Sequence, residues 1–335
     1  MTLYNLIIIV AVFAVAAGGA YYFLPDQFSF SPATEEKTFV VGILASPPAL
    51  DSALAGFQHG MQSRGYKEGA DIRYIIELVT MDLASGKKSV ERLIERNVDL
   101  IYAMGVVAAR AAKEVTAEKK PNLPVVFGVV SNPIAGKLVK SMQSSGNNLT
   151  GVTPNNEIVV SKRLEVFLDM VPSIKRVIFA WNDPNTTGVE NLRNAAKTLK
   201  VEFVEKRVAS VDELKRFLTT FPFRSGDALV RATDTPSAVA LREIIALSLE
   251  KKIPLSGTNV SDTETGALMS YGANYFKIGE QAARLTDSIL KGEKPSDLPI
   301  ELPEEFEFVI NAKTARLLGL TIPASSLDKA NRVIR

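Results

Sequence analysis

The chain has 335 residues, 46% of them hydrophobic and 23% charged, with a formal net charge of +2. This is a globular composition with room for two domains, and the near-neutral charge favours neither nucleic acid nor an acidic surface as partner. With no cysteine and one histidine, His59, thiol catalysis, disulfides and thiolate metal sites are excluded, a histidine metal cluster or Ser-His-Asp triad is disfavoured, and the balance points to binding rather than reaction.

The first element is "LYNLIIIVAVFAVAAGGAYYFL" (Leu3 to Leu24), which carries no charge. It is long enough to span a bilayer as an apolar helix, and Tyr21 and Tyr22 stand where an interfacial aromatic pair would lie. A cleaved signal peptide is the competing reading, with small residues at Gly18 and Ala20. No Lys or Arg precedes the run. Residues 1–24 are therefore a signal anchor or signal peptide, and residues 25–37 a polar linker. Either way the remainder is exported.

From Phe39 short apolar runs alternate with amphipathic stretches. "FVVGILA" (Phe39 to Ala45) is the first expected strand. A helix follows with Leu50, Leu54, Phe57 and Met61 on one face. Then come "IRYIIEL" (Ile72 to Leu78), a helix through Val90 to Ile94, "DLIYAMG" (Asp99 to Gly105), a helix over Ala108 to Glu118, and a strand at Pro124 to Val130. That strand ends in Ser131 and Asn132, ahead of a helix expected over Ile134 to Met142.

A second series begins at "RVIFAWN" (Arg176 to Asn182). A helix carries Val189, Leu192, Ala196 and Leu199. It continues through "VEFVEKRV" (Val201 to Val208), a helix near Leu214 to Leu218, "DALVRATD" (Asp227 to Asp234), a helix from Pro236 to Glu250, and "IPLSGTN" (Ile253 to Asn259). Such βα alternation implies mostly parallel sheets with helices on both faces. Two series imply two Rossmann-like lobes.

Parallel sheets bind ligands outside the carboxyl ends of their strands. In the first series those ends carry Ser46, Gly105 with Val106, and Ser131 with Asn132. In the second they carry Asn182 with Asp183, Asp234, and Thr258 with Asn259; Trp181 ends a strand there and can stack on a flat ligand. Small polar residues plus two carboxylates suit a small polar organic molecule gripped by hinge closure. Each of these polar residues also reads as a helix cap or turn residue, and both readings stand. "VGILAS" lacks the G-x-G-x-x-G of a dinucleotide site. No cofactor, metal or catalytic residue is expected.

Three stretches resemble a known family: "PALDSALAGFQHGMQSRGYKEGADI", "VVSNPIAGKLVKSMQSSGNNLTGVT" and "KIGEQAARLTDSILKGEKPSDLPIELPEEFEFVINAKTARLLGLTIP". They are similar to the substrate-binding proteins of ABC transporters that include tryptophan- and tyrosine-type binders, with the type I periplasmic binding fold. The likeness spans roughly Val40 to Arg335. It implies three crossings between lobes, near Asn148 to Pro154, Ser270 to Ala273 and Leu298 to Pro303. Lobe one is then residues 38–150 plus 274–298, and lobe two 151–273 plus 299–335. Residue by residue it points to Ser46, Ser131, Asn132, Asn182, Asp183, Asp234 and the Thr258–Asn259 loop. Family members often carry a hydroxyl where this chain has Gly105, Val106 and Val107, and Asp where it has Asn132, which leaves Asp234 as the acidic group for a ligand amine.

The expectation is a monomeric, extracytoplasmic solute-binding protein, tethered to the membrane by residues 3–24, that takes an amino-acid-like or aromatic ligand and presents it to an ABC permease. A membrane-anchored sensing module and, less favoured, a two-lobed enzyme are the alternatives.

Overall fold

The computed structural model describes residues 37–45, 50–79, 82–182 and 188–335. The apolar helix expected at residues 1–24, the linker up to residue 36, Ser46 and Asp183 lie outside them. No helix among the described residues is long and apolar enough to cross a membrane.

The chain opens with β1 (Phe39–Ala45), α1 (Asp51–Ser63), β2 (Ile72–Leu78), α2 (Leu83–Glu95), β3 (Leu100–Met104), α3 (Val106–Lys119), β4 (Val125–Gly128) and β5 (Leu149–Val152). The strands form one parallel sheet in the order β2-β1-β3-β4-β5. β3 and β4 are buried along their whole length, as interior strands covered on both faces must be. The pleat divides β3 between two cores: Leu100, Tyr102 and Met104 face one, Ile101 and Ala103 the other. β2, at the edge, is only partly buried, with Ile72 and Ile75 its buried residues.

The helix expected over Ile134 to Met142 does not form. One turn forms after Pro133, with Gly136 N–H donating to the Asn132 carbonyl and Leu138 N–H to that of Pro133. Lys137 then enters the left-handed region at φ 54°, which stops a right-handed helix. The backbone folds back through bonds between Lys140 and Ser145 and between Ser141 and Ser144, and Leu138 and Val139 reach the core without a helix.

The second sheet is built from α4 (Asn156–Met170), β6 (Arg176–Trp181), α5 (Val189–Thr198), β7 (Glu202–Arg207), α6 (Val211–Thr220), β8 (Asp227–Val230), α7 (Thr235–Val239), α8 (Leu241–Lys251), β9 (Leu255–Gly257), α9 (Val260–Thr265) and β10 (Met269–Ala273). It is completed after α10 (Tyr275–Leu290) by β11 (Phe306–Asn311), α11 (Ala312–Leu318), α12 (Ala324–Lys329) and β12 (Arg332–Ile334). The strand order is β12-β11-β10-β9-β8-β6-β7. The sheet is mostly parallel, with β11 returning from the first sheet to lie antiparallel to β10. One expectation changes here. The single helix expected over Pro236 to Glu250 is two helices, broken at Ala240.

α10 leaves the second sheet and packs on α1, and small residues let the two backbones touch. A Cβ on Gly56 would fall 1.9 Å from the Phe276 carbonyl oxygen, and one on Gly60 2.7 Å from the Ala283 Cβ. Asn274 starts this helix by accepting from the Phe276 and Lys277 amides, while its Nδ2 donates to Glu307 on β11 at 2.8 Å.

The chain therefore passes between sheets three times. Its sheet pairings set where each passage falls. β5 keeps Gly151 and Val152 in the first sheet, so the first passage follows Val152. The second passage is at Asn274, after β10 ends. Glu301 still bridges Val152 and Ile300 packs in the first core, so the third passage follows Glu301.

Candidate ligand-binding site at the strand ends

At the carboxyl edge of the first sheet, Gly105 turns β3 into α3 with φ 84°, a conformation that favours glycine. Its N–H donates to the Gly128 carbonyl, which sets Gly105 and Val106 beside the end of β4. Val129 follows with φ 57°, a strained conformation for a β-branched residue of the kind that gathers at functional sites.

Ser131 is tied to the first residues after the passage. Its Oγ accepts from Asn156 Nδ2 at 3.0 Å and its carbonyl from Thr153 Oγ1 at 3.1 Å. Asn132 Oδ1 accepts from the Ala135 amide, capping the single turn that replaces the expected helix.

At the carboxyl edge of the second sheet, Asp234 is buried and both of its oxygens are engaged. Oδ2 accepts from the Asn182 amide at 2.7 Å, and Oδ1 from the Ser237 amide at 3.0 Å. It thus joins the end of β6 to the start of α7. The Asn182 side chain donates to the Val208 carbonyl. Trp181 is half-buried, donates through Nε1 to Glu205 at 3.0 Å, and lies 5.7 Å from the Arg207 guanidinium. Its ring is engaged with the neighbouring strand β7.

Thr258 and Asn259 follow β9 and belong to a cluster in which five further residues take part. Asp262 Oδ2 accepts from the Thr258 amide (2.6 Å), from Thr258 Oγ1 (2.9 Å) and from Arg231 Nε (2.8 Å). Arg231 Nη2 and Asn259 Nδ2 donate to Thr258 Oγ1. Arg163, reaching from α4, donates through Nε to the Tyr271 carbonyl and through Nη2 to the Thr258 carbonyl. Tyr275, at the start of α10, lies close enough for the Arg231, Asp262 and Arg163 charges to act on its hydroxyl. Exposure is 1% for Arg163, 6% for Arg231 and 3% for Asp262. Burial pushes the Arg163 guanidinium down to about 10, aided by the Arg231 charge, while Tyr275 and Asp262 oppose the shift. Burial likewise raises the Tyr275 hydroxyl.

Arg163, Arg231, Asp262 and Tyr275 were not among the expected site residues. Arg231 had a visible signal, a cation directly after the apolar strand "DALV". Arg163 had none, because the carbonyls it binds lie 95 and 108 residues away. The cluster supplies hydrogen bonds and charge. Among the described residues no group of His, Cys, Asp and Glu is placed to hold a metal.

The sequence model for ABC transporter substrate binding proteins matches residues 39–334. A tyrosine-binding protein of Clostridioides difficile is 26% identical over 289 residues, covering 85% of this chain and 82% of that one. Among solved structures, a conserved domain protein from Vibrio cholerae has a TM-score of 0.80 at 25% identity, covering 89% of this chain and 99% of its own. An ABC domain from Streptococcus pneumoniae in complex with L-Trp also has a TM-score of 0.80, at 24% identity, covering 89% and 100%. The α/β fold with its parallel strands is thus that of the periplasmic binding proteins. This chain belongs to the family of ABC transporter substrate-binding proteins, which are extracytoplasmic in importers, and its function is to bind a solute for such a transporter.

Proposed function

We propose that this chain takes an amino-acid-like or aromatic solute between the carboxyl ends of its two sheets, closes around it about the three passages, and presents it to a permease. The observation that carries this reading is the convergence of polar strand ends from both sheets next to those passages: Ser131 hydrogen-bonds Asn156 beyond the first, and Thr258 and Asn259 follow β9, the neighbour of the β10 strand that runs into the second. The names of two relatives, one tyrosine-binding and one holding L-Trp, support the solute class. Gly105, Val106, Ser131, Asn132, Trp181, Asn182, Asp234, Thr258 and Asn259 are the proposed contacts, with Ser46 and Asp183 added on sequence grounds alone.

In this reading the protein performs no covalent chemistry and acts as a monomer. One lobe comprises residues 38 to about 152 and 274 to about 301, and the other the remainder. Residues 1–24 tether it or direct its export; their uncharged length supports this. Closure transmits a signal because the ligand favours the closed state over the open one. The test is a thermal-shift and calorimetry screen of L-tyrosine, L-tryptophan, other amino acids, sugars and nucleosides. A ligand bound by the native state alone raises the melting temperature. Stabilisation by an aromatic amino acid supports the reading; stabilisation by sugars or nucleosides alone overturns the solute class.

A further inference from the structure

The cluster around Thr258 carries more positive charge than its own residues balance. Arg163 and Arg231 are both buried and close enough for their charges to repel. Asp262 is the carboxylate that meets Arg231, and its Oδ2 already takes three donors. Arg163 is bonded to carbonyl oxygens, which carry no full charge. Buried charges are ordinarily paired, because desolvating a lone ion is costly.

The hydrogen-bond inventory points the same way. Each guanidinium has its Nε and Nη2 committed, and in each the remaining nitrogen, Nη1, has no hydrogen-bond partner among the described residues. A guanidinium is planar, so two fixed nitrogens set the direction of the third. Two rigid donor groups are thus present where the net charge of the trio is positive. The location is the carboxyl edge of the sheet. Arg231 follows β8 and donates its amide to the Ser256 carbonyl on β9, and Arg163 reaches Thr258 just after β9 and Tyr271 within β10. The backbone packs closely beside the guanidinium: a Cβ on Gly272 would fall 2.0 Å from the Thr258 oxygen and 3.4 Å from Arg163 Nη2.

Resting on the solute-binding reading above, we propose that Arg231 and Arg163 form the subsite for a carboxylate of the solute, accepted by their two Nη1 groups. A single negative charge neutralises the trio and satisfies both donors, whereas a neutral carbonyl supplies an acceptor without the charge. In this chain the arginines then do the work that a hydroxyl beside Gly105 would otherwise do. Asp262 and Thr258 are positioning residues, since they hold the Arg231 plane.

The test is calorimetry on the purified full chain with matched ligands: L-tryptophan against tryptamine, L-tyrosine against tyramine, and indole-3-propionate against its amide. Removing the carboxylate weakens wild-type binding about 10- to 100-fold, the range for a charged hydrogen bond. Arg231→Gln shrinks that difference to within about threefold, and Arg231→Lys, which keeps charge but loses the fork, falls between. Should Arg231→Gln fail to fold, Arg231→Lys carries the comparison, and a carboxylate preference in it equal to that of the wild type overturns the subsite. Amines that bind as tightly as their acids overturn the subsite and leave the aromatic-solute reading intact. Binding of indole-3-propionate, but of neither amino acid, supports the subsite and overturns the amino-acid reading. A panel in which none of the six binds overturns both.

Discussion

Gly279 on α10 and the carbonyl oxygen of Ala53 on α1 meet with no space for a side chain: a Cβ on Gly279 would fall 2.1 Å from that oxygen. The contact is to backbone, so no rotamer change relieves it. Gly279→Ala forces the two helices apart and is expected to cost about 1–3 kcal/mol or more, as overpacked cores do. In thermal denaturation the melting temperature falls by about 3–8 °C on the scale of a domain this large. An unchanged melting temperature would show that the helices separate freely.

Arg176 and Asp227 form a buried two-pronged pair, with Nε to Oδ1 and Nη2 to Oδ2 both at 2.7 Å. They begin β6 and β8, at the amino edge of the sheet, away from the proposed ligand. Asp227→Ala strands the guanidinium and is expected to cost about 3–5 kcal/mol in denaturant unfolding. Solute affinity of the folded fraction stays at the wild-type value. A loss of affinity at matched folding would contradict the placement of the ligand at the opposite edge.

Asp234 is expected to affect binding as well as stability. Asp234→Ala leaves the Asn182 and Ser237 amides without their acceptor. Loss of a helix cap costs about 1 kcal/mol, and release of the β6 end weakens solute binding by about tenfold or more, the scale of a charged hydrogen bond. Calorimetry that finds the affinity unchanged removes Asp234 from the site.

Tyr66 gives a readout in alkali. Burial pushes its hydroxyl up to about 12, with the hydrogen bond it donates to Asp287 and the charge of Asp287 adding to the shift. A folded-state value above the unfolded one means the stabilisation is complete below about pH 10 and is lost as pH rises through about 12. Tyr66→Phe is therefore expected to flatten the fall in stability between those values. Ultraviolet titration of the folded protein loses one late-ionising tyrosine at the same time. A variant that falls as steeply as the wild type refutes the assignment.

How much of this was legible in the sequence depends on the range of the interactions involved. β1 and β2 carry the expected bounds, Phe39 to Ala45 and Ile72 to Leu78, because a buried strand announces itself through its own apolar residues. The helix from Ile134 failed on one local choice, the left-handed turn at Lys137, which hydrophobic spacing does not encode. The reversal of β11 depends on a passage that only the completed first sheet defines. In the candidate site, Asn182, Asp234, Thr258 and Asn259 stood out as polar residues at strand ends. Arg163 did not, since a helix position shows its function only when distant carbonyls meet it.

The three passages also impose an order on synthesis. The core that holds Phe57 and Met61 of α1 is shared with Ile278, Ala282 and Ala283 of α10. These residues emerge only after everything from residue 153 to 273 has been made, roughly 6–24 s later at about 5–20 residues per second. Until then one face of the first sheet waits uncovered while the second is assembled. The fold is nested, with its first part closed by nearly its last, and neither sheet with its helices can be cut from the chain as one continuous piece.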